Sequence, residues 1–160
     1  MTWMVFVVLF SVQGMAEPAH VHGEGQINMA FEGQEGQIEL DVPTDSVLGF
    51  ESEAHSEKEK SKEKEILELF KNNLSQVIQL DNQWGCQIHP EKVNFVRHGI
   101  HRDLEASYKV RCSRAIKSGH IDFNIQKIFP SWKKVKVQIL TPSTQKSQTI
   151  TKNGESLEIK

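Results

Sequence analysis

Five stretches of the chain alternate between apolar and polar residues, which is the pattern of a β-strand with one buried face. The first two stretches flank residues 32–36, a segment with two glycines, and this arrangement predicts a β-hairpin. The third stretch is the longest and predicts the strongest strand. The apolar positions of the five are Ile27, Met29 and Phe31; Ile38, Leu40 and Val42; Leu104, Ala106, Tyr108, Val110 and Cys112; Ile121, Phe123 and Ile125; and Val135, Val137 and Ile139.

After residue 56 the apolar residues follow the spacing of a helix instead of a strand. Ser56 and Glu59 fit a capping box, and the charged residues that follow lead into apolar positions spaced by three and four. These positions are Ile66, Leu67, Phe70, Leu74, Val77 and Ile78. The pattern predicts one long amphipathic helix over residues 57–79, with its charges on a solvated face.

The remaining segments predict short strands and a weak internal repeat. We expect short strands at Cys86 and Ile88 and at residues 93–96, separated by a break at Pro90, and weak strand character at Leu157 and Ile159. Residues 25–42 and 102–125 follow a similar plan, so a duplication of units 20–80 and 85–142 is the natural inference. The predicted fold class is α+β: a mainly antiparallel sheet built from two related hairpin-containing halves with one long helix.

The N-terminal segment has the character of a signal peptide. Residues 1–16 carry no charge and contain an apolar run too short to span a membrane, followed by small residues around a cleavage point before Glu17. A basic start is lacking, which leaves an upstream start codon open. The expectation is one exported domain over residues 17–160, with membrane contact only through the cleaved segment. A buried N-terminal strand is the alternative.

Charge and cysteine content restrict the function. The 19 basic and 21 acidic residues give a net charge of −2, and the basic residues are not clustered with aromatic ones, so binding to nucleic acid is not expected.

Cys86 and Cys112 are the two cysteines, and an even count in an exported chain predicts a disulfide. Closing this loop stabilises the fold by about 3 kcal/mol. A pair of thiolate ligands for zinc is the alternative.

Two histidine pairs are the main candidates for chemistry. His20 and His22 are two residues apart, so an extended backbone places both imidazoles on one side. His98 and His101 lie just before the strongest predicted strand. Tetrahedral zinc takes about four nitrogen, sulfur or oxygen donors. The four histidines therefore predict a zinc site if the starts of corresponding strands come together on adjacent central strands.

Several segments together resemble the ZrgA-like family of periplasmic zinc-binding proteins, and the similarity covers nearly the whole expected mature chain. The opening His20-Val-His22-Gly23, the segment from Leu48 to Glu51, the strand from His101 to Cys112 and the segment from Val137 to Pro142 carry it. The resemblance implies a periplasmic protein that binds zinc and assists zinc acquisition beside a high-affinity importer. His20, His22 and His101 match family histidines, whereas His98 falls where many members have a histidine-rich stretch that this chain lacks.

Other interpretations of the histidines stay open. The competing hypothesis is a structural or interaction module of the cell envelope in which the histidines are incidental, and an imidazole site also accepts copper or nickel. Asp103 is a candidate to orient His101, or simply to hydrogen-bond it on a surface turn. His55 is a weak accessory candidate, and His89 and His120 are interpreted as turn residues. We expect no enzyme, because no activated nucleophile or metalloprotease motif is present.

Overall fold

The computed structural model describes residues 21–160, so the expected signal peptide and His20 lie outside the described part. Within that part the chain forms nine strands, three α-helices and two short 3-10 turns. The elements are β1 (Glu24–Glu32), β2 (Glu35–Pro43), α1 (Thr44–Leu48), α2 (Glu57–Asn72), β3 (Ile78–Leu80), β4 (Cys86–His98), β5 (His101–Cys112), β6 (Gly119–Phe123), α3 (Ile125–Ile128), β7 (Lys134–Leu140), β8 (Gln145–Ile150) and β9 (Glu155–Ile159). The 3-10 turns are Leu74–Gln76 and Asn82–Trp84.

Two sheets organise these strands. The larger sheet has the order β4-β5-β2-β1-β7-β8, and the smaller has the order β3-β6-β9. All pairs are antiparallel except β1 with β7. The predicted α+β class with a mainly antiparallel sheet is therefore confirmed, as is the first hairpin, β1–β2. The internal duplication stays a prediction.

Alternation places one face of the large sheet against a single hydrophobic core. The core includes the alternating apolar residues of β1, β2, β5 and β7, together with Phe70 from α2 and Ile121 and Phe123 from the small sheet. The ring of Phe70 stacks on that of Phe129 with centroids 5.6 Å apart. The hydroxyl of buried Tyr108 donates a 2.8 Å hydrogen bond to the carbonyl oxygen of Phe70, and burial raises the pKa of Tyr108. This bond ties the C-terminal part of α2 to β5, the second strand from one edge of the sheet.

The predicted disulfide is confirmed. Cys86 and Cys112 lie directly opposite each other in the β4–β5 ladder and are bonded, with Sγ atoms 2.03 Å apart. The opposite end of the same hairpin is closed by Gly99 and Ile100, between the paired residues His98 and His101. Gly99 has a φ of +61°, which a residue with a side chain adopts only with strain. Glycine there allows the tight turn that sets His98 across from His101.

The predicted helix is correct at its start and wrong at its end. Ser56 and Glu59 form the expected capping box, and the Lys60 ammonium lies 2.9 Å from the Glu57 carboxylate. However, α2 ends at Asn72 instead of residue 79. Asn72 and Asn73 are poor helix formers, and Ile78 pairs with Phe123 in the small sheet. Strand pairing outside the segment therefore overrides the continued helical spacing.

Two further segments differ from expectation. The segments around Cys86 and Val93 form one strand of 13 residues, and the expected break at Pro90 is a bulge between Pro90 and Lys92. Because β4 is the edge of its sheet, a proline there costs no hydrogen bond to a neighbouring strand. In the polar tail, β9 contains Leu157 and Ile159, where weak strand character was expected, whereas β8 was not expected because its apolar alternation is weak.

Candidate metal site

The starts of β1 and β5 lie at the same end of the large sheet. Gln26 of β1 pairs with Asp41 of β2, and Pro43 at the end of β2 pairs with Asp103 of β5. Strands β1 and β5 therefore run in the same direction on either side of β2. The sequence predicted that β1 and β5 would be adjacent, but β2 lies between them. Neighbouring strands are about 4.8 Å apart, so this separation is still within reach of two side chains.

His22 and His101 meet across that gap. Their ring centroids are 6.4 Å apart, and the rings make an angle of 69°. The His22 side chain is 63% exposed and that of His101 is 33% exposed, so the pair faces solvent at the rim of the sheet. Two of the four predicted histidines are thus brought together.

Each of these two rings has a carboxylate at the same nitrogen. Nδ1 of His22 is 2.8 Å from Oδ2 of Asp45, and Nδ1 of His101 is 2.9 Å from Oε1 of Glu51. A carboxylate at Nδ1 holds a proton there and directs Nε2 toward a metal, which is the usual arrangement of zinc-binding histidines. The chemistry of this pair therefore fits zinc.

Local structure explains the position of each carboxylate. Asp45 is in the first turn of α1, which starts directly after β2. The buried Thr44 hydroxyl donates a 2.9 Å hydrogen bond to the carbonyl oxygen of Arg102 and so ties α1 to the start of β5. Glu51 follows α1 and the left-handed Gly49, in the loop that leads to α2.

The His98 side chain contacts a carboxylate in a different way from His22 and His101. It is opposite His101 in the ladder, so the two side chains project from the same face of the hairpin. Its Nε2, however, lies 2.8 Å from Oε1 of Glu105, whose other oxygen is 2.6 Å from the Lys92 ammonium. Lys92 and His98 lower the pKa of Glu105. His98 thus contacts its carboxylate through Nε2, whereas His22 and His101 contact theirs through Nδ1.

The electrostatic environment favours a protonated His22 when no metal competes. The hydrogen bond to Asp45, the charge of Asp45 and the charge of Glu51 raise the pKa of His22 above its usual value of 6.5. Zinc binds neutral imidazole, so a metal ion at this ring would compete with a proton. Its affinity would therefore fall as the pH falls.

The pair alone is half of a tetrahedral donor set. Among residues 21–160, no group of three or more histidine, cysteine, aspartate or glutamate side chains is arranged to hold a metal ion. Cys86 and Cys112, the alternative thiolate ligands, are bonded to each other. His20 falls outside the described residues, so the four-histidine site stays a prediction.

Sequence reasoning missed Asp45 and Glu51. It favoured Asp103 as the residue that orients His101, whereas the carboxylate at Nδ1 of His101 is Glu51. Asp103 is buried at the start of β5. Glu51 belongs to the segment from Leu48 to Glu51 that carries the family resemblance, and this was the signal available for it.

Three further histidines, His55, His89 and His120, lie on other elements of the fold. His120 is on β6 rather than in a turn, with Nδ1 2.9 Å from Asp81 and Nε2 3.5 Å from Asp122. His89 is an exposed residue of β4, and His55 is exposed just before α2. His55 donates a 3.0 Å backbone hydrogen bond to the Glu59 side chain.

The fold and site define a small, disulfide-bonded α+β protein with a carboxylate-supported histidine pair at one end of its sheet. Comparison with protein families agrees with this class: the model of the ZrgA family of zinc uptake proteins matches residues 19–159. The chain belongs to this family, and the resemblance in its sequence is confirmed. No curated protein matches the chain. Within residues 21–160, helices that combine the length and apolar character for crossing a membrane are absent.

Proposed function

We propose that this protein binds zinc reversibly in the periplasm and assists zinc acquisition beside a zinc importer. His22 and His101 form the centre of the site, and His20 and His98 supply the further donors. The protein carries out no catalysis in this proposal. Zinc is the cargo, and the chain's task is to capture and release it.

The observation that carries the proposal is the meeting of two imidazoles from distant parts of the chain, each with a carboxylate at Nδ1. Two surface histidines that meet by chance have no reason to share this arrangement. The arrangement prepares both Nε2 atoms for one cation, because each carboxylate fixes the proton and the ring orientation.

The remaining donors lie next to this pair in sequence or across the hairpin. His22 lies in a turn closed by a 3.0 Å hydrogen bond from the Glu24 amide to the Val21 carbonyl oxygen, so the extended backbone expected at His22 is not observed. His20 is proposed as a donor because it precedes His22 by only two residues. His98 is opposite His101 and reaches the same cation when its ring leaves Glu105. Loss of the contact with Glu105 offsets part of the gain from ligation, so His98 is the weaker ligand of the described three.

Exposure supports reversible binding. Structural zinc sites are closed and fully coordinated by the protein, whereas His22 is 63% exposed at the rim of the sheet. Protons also compete for His22, which makes release sensitive to pH. Both features suit a protein that hands zinc on.

Export is part of the proposal. The disulfide between Cys86 and Cys112 is typical of an oxidising compartment, and membership of a zinc uptake family is consistent with one. The apolar segment of residues 1–16 is the proposed signal.

A competition titration with a zinc-binding dye tests the function. The protein that starts at Glu17 is compared with the double variant His22→Ala/His101→Ala and with the control His89→Ala, which removes an exposed histidine of β4. We expect the double variant to lose more than about 100-fold in zinc affinity, beyond what loss of a carboxylate partner costs. The control should bind like the unmodified protein.

Equal affinity in the double variant and the unmodified protein would contradict the site. If no zinc binds at all, the protein is better explained as an interaction module of the envelope. In that case, capture of an envelope partner should be insensitive to a chelator.

A further inference from the structure

The carboxylate that supports His101 comes from a loop without regular secondary structure. Residues 50–55 connect α1 to α2 and contain no helix or strand. A loop of this kind holds a side chain in place only if other elements anchor it. The anchors of residues 51–53 therefore decide how well Glu51 stays at Nδ1 of His101.

Arg102 is the least exposed of the side chains that anchor this loop. Its guanidinium donates a 3.3 Å hydrogen bond from Nη1 to the carbonyl oxygen of Ser52, the residue after Glu51. It also pairs with the Glu63 carboxylate of α2 and lies over the Phe95 ring of β4, 4.8 Å from its centroid. The Arg102 side chain is 12% exposed and that of Glu63 is 19% exposed. One guanidinium thus joins the loop, the helix and the hairpin.

The position of Arg102 in β5 relates these contacts to the site. It directly follows His101, and successive side chains of a strand point to opposite faces. His101 therefore faces the candidate metal site, while Arg102 faces α2. His101 contacts Glu51, and Arg102 contacts the next residue of the loop, Ser52. The start of β5 and the loop are thus held together at two successive residues.

We propose that Arg102 is a positioning residue of this site: it holds Ser52 and thereby keeps Glu51 on the imidazole of His101. Its importance for zinc rests on the proposed function. Lysine should not replace it, because an ammonium lacks the planar group that lies over the Phe95 ring while its Nη1 contacts both Ser52 and Glu63.

Arg97 offers a matched control on the same hairpin and the same loop. It is opposite Arg102 in the ladder, and its Nη2 lies 3.0 Å from Oε1 of Glu53. Both partners are exposed, Arg97 by 48% and Glu53 by 67%. Exposed ion pairs hold their partners weakly, so Arg97 should contribute little to the position of Glu51.

The first test measures the loop without any metal. Order parameters of the backbone amides at residues 51–53, from NMR relaxation, are compared in the unmodified protein, Arg102→Gln and Arg97→Gln. We expect lower order parameters, and so greater motion, in Arg102→Gln and little change in Arg97→Gln. Unchanged order parameters in Arg102→Gln would overturn the proposal. If that variant fails to fold, Glu63→Ala removes the partner of the same guanidinium on α2 and is measured instead, with the same increase in motion expected.

The second test is a double-mutant cycle on zinc affinity with Arg102→Gln and Glu51→Gln. Arg102→Gln alone should weaken zinc binding by about 10-fold, the lower end of what loss of an orienting partner costs, and Arg102→Lys by a similar factor. In a Glu51→Gln background, Arg102→Gln should cause no further loss of zinc affinity, although it still lowers the melting temperature. A full additional loss of affinity there would show that Arg102 acts otherwise than through Glu51 and would overturn the proposal.

The two tests separate failure of this inference from failure of the proposed function. If the unmodified protein binds zinc and Arg102→Gln binds it equally well, the inference fails and the function stands. If the unmodified protein binds no zinc, the function fails, and the order parameters of the loop alone decide whether Arg102 holds it.

Discussion

Two regions of this protein set histidines against carboxylates, and they do so differently. At the end of the large sheet, His22 from the turn before β1 and His101 at the start of β5 approach each other, and each contacts a carboxylate through Nδ1. On the small sheet, His120 has a carboxylate at each ring nitrogen, Asp81 at Nδ1 and Asp122 at Nε2.

His22, His101 and His120 all have a carboxylate at Nδ1, so this contact alone does not distinguish a metal ligand. His120 has in addition Asp122 at Nε2, the nitrogen that a metal ion would need. Asp81 also accepts hydrogen bonds from the backbone and side chain of Gln83, so it caps the turn at Asn82–Trp84 as well as holding His120. The His120 group ties β6 to that turn and serves the fold. In the other region the Nδ1 contacts belong to two imidazoles whose ring centroids are 6.4 Å apart, which in our proposal suits a shared cation.

The largest effect should come from removing a ring of the pair. We expect His22→Ala and His101→Ala each to weaken zinc binding by more than about 100-fold, since each removes a donor itself. His120→Ala should lower the melting temperature and leave zinc affinity unchanged. Calorimetric titration and thermal unfolding of the three variants measure this contrast, and a zinc defect in His120→Ala would reverse the assignment of the two regions.

The next effect should come from the supporting carboxylates. Asp45→Asn and Glu51→Gln keep the shape of each side chain but remove the charge that orients the ring, so each should cost about 10- to 100-fold in zinc affinity. Asp81→Asn is the matched change in the other region and should cost stability alone. Comparable zinc affinity in all three variants would mean that the Nδ1 contacts have no part in binding.

His98 should contribute less than the pair. Its ring has to leave Glu105 before it binds zinc, so His98→Ala should weaken binding by at most about 10-fold. Glu105→Gln releases the ring and should raise zinc affinity slightly. A loss in His98→Ala as large as that in His101→Ala would show that the resting position of His98 has no energetic cost.

The smallest effect concerns pH in the metal-free protein. Asp45 raises the pKa of His22, so the folded state favours the protonated ring. The resulting stability is present below pH 6.5 and is lost as the pH rises through the folded pKa. An NMR titration of the histidine rings should give His22 a pKa above 6.5 and return it close to 6.5 in Asp45→Asn. Identical titration curves in the two proteins would exclude the contact in solution.

Local patterns predicted most of the fold. Alternation identified β1, β2, β5 and β7, because each presents one face to the core, and the capping box identified the start of α2. The end of α2 was not predictable from spacing, since Ile78 satisfies a helical period and also pairs with Phe123. The strand β8 has little apolar alternation because it is an edge of the large sheet.

The candidate site was predictable only in part. The sequence selected His22 and His101, since closely spaced histidines at strand starts are visible without a structure. For Asp45 it offered no signal, and for Glu51 only membership of a segment that carries the family resemblance. The contacts of these two carboxylates with His22 and His101 span 23 and 50 residues. Which carboxylate reaches which ring depends on the turn into α1 and on the anchoring of the loop, and both are tertiary features. Asp103, the nearest carboxylate in sequence, was therefore favoured in place of Glu51.

A crystal of the protein that starts at Glu17, soaked with zinc and measured at the zinc absorption edge, tests the central claim most directly. Our account predicts an anomalous peak bonded to Nε2 of both His22 and His101, at about 2.0–2.1 Å from each nitrogen. A peak at His120 with none between His22 and His101, or a fully occupied zinc that contacts neither ring, would contradict it.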